Sequence, residues 1–428
     1  MFQVFRNAWK IDELRKKILF TLFIVLLYRI GNAVPVPYID TTLLKEYFSN
    51  LQNTVLGLYN TMSGNAFSTA TIFALSIQPY INASIIIQLL CIAIPALERL
   101  SKDGGEEGRK KIASITRYAT VAIGLIQGCA YFLLIKNNGL LTAGSGVWQG
   151  VVIIASFCAG ASLLMWMGEQ VTEFGIGNGI SIILFASIIS RLPSGAWSLV
   201  TNLAAGSLSW IAFIAIIVGV CLLVVCIVFV SKAERRIPIQ YSKRVVGRKL
   251  YGGQSTHLPM KVNMSGVMPI IFAQSIASLP ATIAAFFKTP AEGSFWAKFL
   301  NAIDTTSVLY MVIYFLLIIA FSYFYATIQF NPVEIANNLK KNGGFIPGFR
   351  AGRPTSEFIS KVLSRITLFG AIYLGIVAVL PIIFSKVTSL SNIYLGGTSI
   401  IIVVGVALEI VQSLETQMMM RHYKGFLE

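Results

Sequence analysis

Apolar residues run along this 428-residue chain in long, nearly unbroken stretches, with polar and basic residues gathered between them. A helix rising 1.5 Å per residue needs roughly 20 such residues to cross a bilayer. Stretches of that kind lie at 18–34, 72–96, 118–135, 147–168 and 176–189, then at 210–230, 264–287, 308–330, 366–384 and 396–414. The fifth is short. The pattern predicts an all-α polytopic membrane protein with ten transmembrane helices.

The gaps between these stretches are not equivalent. Of the 34 Lys and Arg, 27 fall in the N-terminal tail, every second loop and the C-terminal tail. Six fall in the other five loops, and Arg29 lies within the first stretch. An excess of Lys and Arg marks cytosolic loops, so both termini are expected in the cytosol. Residues 1–17 are polar and basic, and the next run lacks a small-residue cleavage site, so the first helix is expected to be retained. Five spans per half would invert the second half relative to the first. The halves read as 1–191 and 210–428, joined by an external hinge loop at 192–209.

Two cytosolic loops exceed what topology needs. Loop 231–262 holds eight basic residues and reads as a protruding β-hairpin: RRIPIQY, the basic turn SKRVVGRK, then LYGGQSTHLP. Loop 331–365 holds six and carries the turn-rich run NGGFIPGFRAGRP. Both suit partner docking.

Composition narrows the function. A hydrophobic fraction of 55% with 12% charged residues excludes a soluble globule of this length. The formal charge of +16 is divided among loops beside apolar spans, which fits anionic lipids and acidic partner surfaces and no DNA partner. The five cysteines, Cys91, Cys129, Cys158, Cys221 and Cys226, all lie in apolar stretches and read as small packing residues. GIGNG at Gly175 lacks the preceding strand of a nucleotide loop, and His257 and His422 are isolated. No catalytic residue, metal site or cofactor is expected, and no enzyme. Spans without central Asp, Glu, Lys or His argue against ion-coupled transport, which relies on intramembrane ionisable groups. A secondary transporter of a small uncharged solute, built on inverted repeats, is the alternative.

Ahead of the second span, residues 54–71 are too polar and small to face lipid. Gly57, Ser63, Gly64, Asn65 and Ser68 suggest a re-entrant segment, buried in protein, before Pro79 interrupts the helix. Gln78, Asn82, Ser84 and Gln88 punctuate the second span, and Gln274, Ser275 and Ser278 the seventh, as suits a seam that opens and closes.

The segments FALSIQPYINASIIIQLL, MWMGEQVTEFGIGNGISI, YGGQSTHLPMKVNMSGVMPIIFA, FNPVEIANNLKKNGGFIPGFRAGRP and LGGTSIIIVV, in this order over essentially the whole chain, resemble the SecY family, which forms the channel of the bacterial Sec protein translocase. The resemblance implies two five-helix halves around an hourglass pore, with residues 54–71 as a plug. It implies a pore ring of Ile77, Ile81, Ile180, Leu184, Ile271 and Ile402, with Leu184 where the family often has isoleucine. It also implies a lateral gate of the second and seventh spans with the third and eighth, for which Asn82, Gln274 and Ser278 are the candidate polar contacts. The two loops would dock the motor ATPase SecA or the ribosome through Arg235, Arg236, Lys243, Arg244, Arg248, Lys249 and Arg350. SecE and SecG would be companion subunits. Signal-bearing preproteins and nascent membrane proteins would be the cargo, at the bacterial plasma membrane.

Overall fold

The computed structural model describes residues 2–49, 55–102, 104–142, 146–206, 209–241, 244–246, 249–251, 255–264, 266–286, 307–388 and 397–424. The chain opens with α1 (Phe2–Trp9), α2 (Asp12–Gly31), α3 (Thr41–Ser49) and α4 (Val55–Met62). It continues through α5 (Gln78–Ala93), α6 (Pro95–Lys102), α7 (Gly105–Asn137), α8 (Val147–Phe174), α9 (Gly179–Ile189), α10 (Leu192–Ala204) and α11 (Trp210–Lys232). After a β-hairpin come α12 (Met268–Phe286), α13 (Val308–Gln329), α14 (Pro332–Lys341), α15 (Arg353–Thr388) and α16 (Gly397–Lys424).

Among the described residues, seven helical segments are long and apolar enough to cross a membrane, and an eighth is added if α5 and α6 count as one span. The ten expected spans are completed by α2, charged in its first turns, and by α12, apolar over Met268–Pro280. Their side chains suit lipid: α11 is 23 residues rich in Val, Ile and Leu, with Ile211 82% and Phe229 77% exposed. Polar caps start these helices. The Ser209 hydroxyl accepts from the Ala212 amide at 3.2 Å, and the Ser307 hydroxyl from the Tyr310 amide at 3.0 Å.

Three boundaries differ from the sequence expectation. Pro79 does not interrupt the second span; it lies in the first turn of α5, where its missing N–H costs nothing. Residues Ile72–Ile77 are buried turns rather than helix, and the break comes later, at Ile94, where the axis bends by 106° into α6. The short fifth span runs on through α10 into the expected hinge loop, so Gly179–Ala204 spans 26 residues. The eighth-to-ninth loop is ordered: it holds α14, and the ninth helix begins at Arg353.

GIGNG is the turn between α8 and α9. The Asn178 side chain caps α9 by accepting from the Ile180 amide at 3.0 Å and the Ser181 amide at 3.4 Å. With Ile182, Ile183, Leu184 and Ile188 all buried, α9 runs through the middle of the molecule. Near its C-terminal end, α8 binds α7 through a forked ion pair: Arg117 Nε to Glu169 Oε1 and Arg117 Nη2 to Glu169 Oε2, each at 3.0 Å.

The two long basic loops form one small domain. Strand β1 (Glu234–Tyr241) pairs antiparallel with β4 (Ser255–Lys261), Ile237 opposite Leu258. The arms β2 (Arg244–Val246) and β3 (Lys249–Tyr251) pair beyond them. Strand β5 (Gly344–Phe345), from the other loop, joins the free edge of β1. Ile237 and Ile239 point to the inner face and pack with Met260, Leu339, Ile346 and Ile359. The hairpin was legible in the sequence; the sheet shared between the loops was not.

Of the cysteines, only Cys158 is buried, while Cys129 and Cys221 are exposed on span surfaces. They face outward and do not pack a core.

Candidate functional site

The six candidate collar residues converge. Ile77 and Ile81 lie one turn apart at the start of α5, Ile180 and Leu184 one turn apart on α9, Ile271 in the first turn of α12 and Ile402 on α16. Ile77, Ile81, Leu184, Ile271 and Ile402 are buried, Ile180 is half-buried, and all belong to one apolar cluster. Ile77 Cδ1 and Ile180 Cγ1 both lie 3.5 Å from the point where a Cβ on Gly168 would stand, which brings α5 and α9 together beside α8. Met62, the last residue of α4, joins the same cluster.

The candidate plug is a short helix followed by a tight knot of turns; Thr54 lies outside the described residues. α4 ends in a Schellman arrangement: the Asn65 amide donates to the Asn60 carbonyl at 2.9 Å and the Gly64 amide to the Thr61 carbonyl at 3.2 Å. That ending needs a left-handed residue, and Gly64 supplies it at φ +67°. Asn65 follows at φ +74°, a conformation asparagine tolerates. Gly57, Ser63 and Ser68 are buried, Gly64 half-buried and Asn65 exposed. The knot is stitched to its surroundings. The Val36 amide donates to the Ala70 carbonyl at 2.9 Å, the Ile72 amide to the Val34 carbonyl at 3.1 Å, and the Tyr131 hydroxyl to the Phe67 carbonyl. Buried between spans, this segment does not merely rest on the surface.

Two cavities share no lining residue; one reaches the collar at Ile81 and Ile180, the other borders α4. One, of about 520 Å³, is lined by Tyr80, Ile81, Ser84, Ile180, Lys261 and Gln412. The other, of about 430 Å³, is lined by Lys45, Gly57, Asn60, Thr61, Thr69 and Arg191.

Across the seam, α12 packs on α4, α5 and α7. Asn82, Gln274 and Ser278 are buried there, but the described polar links run mainly through other residues. The Ser275 hydroxyl donates to Gln78 Oε1 at 3.4 Å, and Gln78 Nε2 donates to Met62 Sδ at 3.0 Å. Gln274 Nε2 approaches the same sulfur at 3.6 Å. The Tyr325 hydroxyl of α13 donates to Gln88 Oε1 at 3.1 Å. The Ser278 hydroxyl donates back along its own helix to the Ser275 carbonyl at 3.0 Å. Gln78, Gln88 and Ser275 carried a sequence signal as polar residues in apolar spans; Met62 carried none.

On the domain formed by the two basic loops, Arg235, Arg236 and Arg350 are exposed, and Arg236 pairs with Glu234 at 2.7 Å. Lys243 and Arg248 lie outside the described residues, as do the side chains of Arg244 on β2 and Lys249 on β3. Among the described residues, no three His, Cys, Asp or Glu gather as a metal site would require.

A family model described as SecY matches residues 71–411. A protein translocase subunit SecY of Streptomyces scabiei is 43% identical over 441 residues, covering 100% of both chains. Among solved structures, that of a SecY protein whose plug domain stabilises the closed state of its translocation channel aligns with TM-score 0.66 and 17% identity, covering 94% of this chain and 92% of that one. Sec61 in a canine ribosome–channel complex aligns with TM-score 0.59 and 16% identity, over the same shares of the two chains.

Proposed function

This chain belongs to the SecY family of protein translocase subunits, and from that membership we propose how its own residues gate the channel. It is a multi-pass membrane protein that conducts polypeptide, and not an enzyme. In the proposed account, the two cavities are the vestibules of an hourglass between the halves 1–191 and 210–428. The waist is the ring of Ile77, Ile81, Ile180, Leu184, Ile271 and Ile402, and α4 stops its external side. The observation that carries this reading is the single buried cluster uniting the six collar side chains with Met62, with one cavity opening on Ile81 and Ile180 and a separate one on α4 at Gly57 and Thr61.

A narrow aliphatic waist breaks a continuous file of water and so bars ions, while aliphatic side chains can part around a peptide. Such a ring makes no hydrogen bonds to cargo and therefore does not discriminate among sequences. The seam between α5 and α12 is the lateral exit. Its contacts through Gln78, Ser275 and Gln274 hold the closed state, and a hydrophobic signal or nascent helix replaces them when it leaves into lipid.

Nothing in the spans supplies energy, so power enters from the cytosol. The shared sheet of the two loops makes one rigid platform that presents Arg235, Arg236 and Arg350. It fits an acidic protein surface such as that of the motor SecA, or ribosomal RNA. SecE and SecG complete the complex, anionic lipids meet the basic loops, and both termini face the cytosol of a bacterial plasma membrane.

The test is a cysteine pair at positions 78 and 275 in a background with the five native cysteines replaced by alanine. Oxidation is expected to block membrane insertion of a hydrophobic segment, and reduction to restore it; normal insertion by the oxidised form would place the exit elsewhere. For docking, Arg350→Glu is expected to slow ATP-driven translocation with assembly intact, and an unchanged rate removes Arg350 from the platform.

A further inference from the structure

The ties that hold α4 in place are unevenly distributed. On its C-terminal side, the knot is fixed by backbone bonds to residues 34 and 36 and by Tyr131, whose ring stacks on Phe67 at 4.3 Å. α4 joins that fixed knot through Gly64, whose positive φ and lack of a side chain make it a natural pivot. Across that turn Asn60 accepts from the Ser68 amide at 2.9 Å and donates to Asn65 Oδ1 at 3.2 Å, Gln78 donates to Met62, and the rest of the hold comes from side chains of α2 and residues at the end of α9. Arg191 Nη1 donates to Thr61 Oγ1 at 2.5 Å. The Tyr28 hydroxyl donates to the Ser63 carbonyl at 3.2 Å and lies 2.6 Å from the Ser187 hydroxyl. All of these partners precede residue 192. Among the described residues, the polar contact reaching α4 from beyond the seam is Gln274 to the Met62 sulfur, at 3.6 Å. Thioether sulfur is a weak acceptor, so this contact is soft.

We infer that Arg191 is the positioning residue of the resting plug: it latches α4 to the N-terminal half through Thr61, so that opening the seam and releasing the plug are two separate steps. The inference rests on the plug reading above. Moving α12 away from α5 breaks the Ser275–Gln78 and Gln274–Met62 contacts but leaves Arg191 on Thr61 and Tyr28, itself bonded to Ser187, on the Ser63 carbonyl at the end of α4. Release then requires the guanidinium to leave Thr61. Arg191 stands between the end of α9 and the start of α10, where the hinge region begins. It also lines the external cavity, with Thr61 and Lys45. Because guanidinium stays charged at every physiological pH, the latch is not a pH switch.

A hydrogen bond to a charged donor is among the stronger ones, and its loss here is expected to raise the unlatched population about tenfold. The experiment uses the full channel complex in liposomes and reads the resting leak of a small anion. Thr61→Val removes the acceptor and keeps the shape, and Arg191→Ala removes the donor. Each is expected to raise the leak about tenfold, the double variant no further, and Arg191→Lys less. The rise should persist with positions 78 and 275 disulfide-linked, which a role in the seam would not allow. Deletion of 55–62 is the control. A leaky deletion beside silent or additive point variants overturns the latch alone. A rise abolished by the seam disulfide overturns the two-step order. A silent deletion overturns the plug reading and the latch with it.

Discussion

Replacing Gln78 with Leu should hold the channel shut. In the closed seam Gln78 is 3% exposed, donating to Met62 at 3.0 Å and accepting from Ser275 at 3.4 Å. Neutral hydrogen bonds contribute about 0.5–1.5 kcal/mol net, and a sulfur acceptor and a 3.4 Å contact both belong at the weak end. Together they stabilise the closed state by about 1 kcal/mol. A leucine of similar volume loses that but gains about 1.5–3 kcal/mol from staying buried rather than facing the wet pore. The net preference for closure is roughly 1 kcal/mol, or about a fivefold smaller open population. The assay compares translocation of preproteins with strongly and weakly hydrophobic signals. The variant should slow the weak signal about fivefold and barely affect the strong one, whose binding energy exceeds the added bias. Faster transport of the weak signal by Gln78→Leu would refute the claim that the seam's amides serve the closed state less well than apolar packing.

The remaining predictions probe the frame. A Cβ on Gly160 would stand 1.9 Å from the carbonyl oxygen of Ile72, backbone against backbone, so Gly160→Ala should cost at least about 3 kcal/mol and lower the melting temperature in detergent; Gly195→Ala, with nothing within 4 Å, should not. Ile359 is fully buried under the sheet shared by the two loops, and its change to Ala should cost about 2–5 kcal/mol locally, seen as protease cleavage of the β1–β4 hairpin with the spans intact. At the start of α3, Asp40 accepts from the Thr42 hydroxyl and from the amides of Leu43 and Thr42, which hold its carboxyl below the usual range. Because that pKa is depressed, the cap acts fully above the ordinary carboxylate value and is lost as pH falls through the lowered one. Exchange at the Leu43 amide should therefore gain protection with rising pH through the acid range beyond what intrinsic exchange predicts, and Asp40→Asn should abolish that dependence.

The spans of this molecule could be read from its sequence because lipid imposes one rule, apolar length. The misplaced Pro79 shows where that rule stops. Ile72–Ile77 is as apolar as a helix yet forms turns, closed by the Ala74 amide on the Thr71 carbonyl at 2.9 Å and the Ser76 amide on the Phe73 carbonyl at 2.8 Å, with the Ile72 amide bonded outside to the Val34 carbonyl at 3.1 Å. Hydropathy cannot separate those cases. Nor does it separate a lipid-facing position from a core-facing one, which is why Cys129 and Cys221 read as packing residues and are exposed. The two-residue strand β5 left no periodicity to detect, and its partner lies about a hundred residues earlier. Arg191 looked like one more charge in an external loop; its contact with Thr61, 130 residues away, exists only in the fold.

The central claim is that this chain forms the conduit, with power applied from the cytosolic side. The direct measurement reconstitutes the purified chain with SecE in liposomes, adds SecA, ATP and a signal-bearing preprotein, and asks what protease cannot reach. The account predicts a full-length protected preprotein that requires both ATP and the signal. Complete digestion, beside protection by a known translocase in parallel, would contradict it.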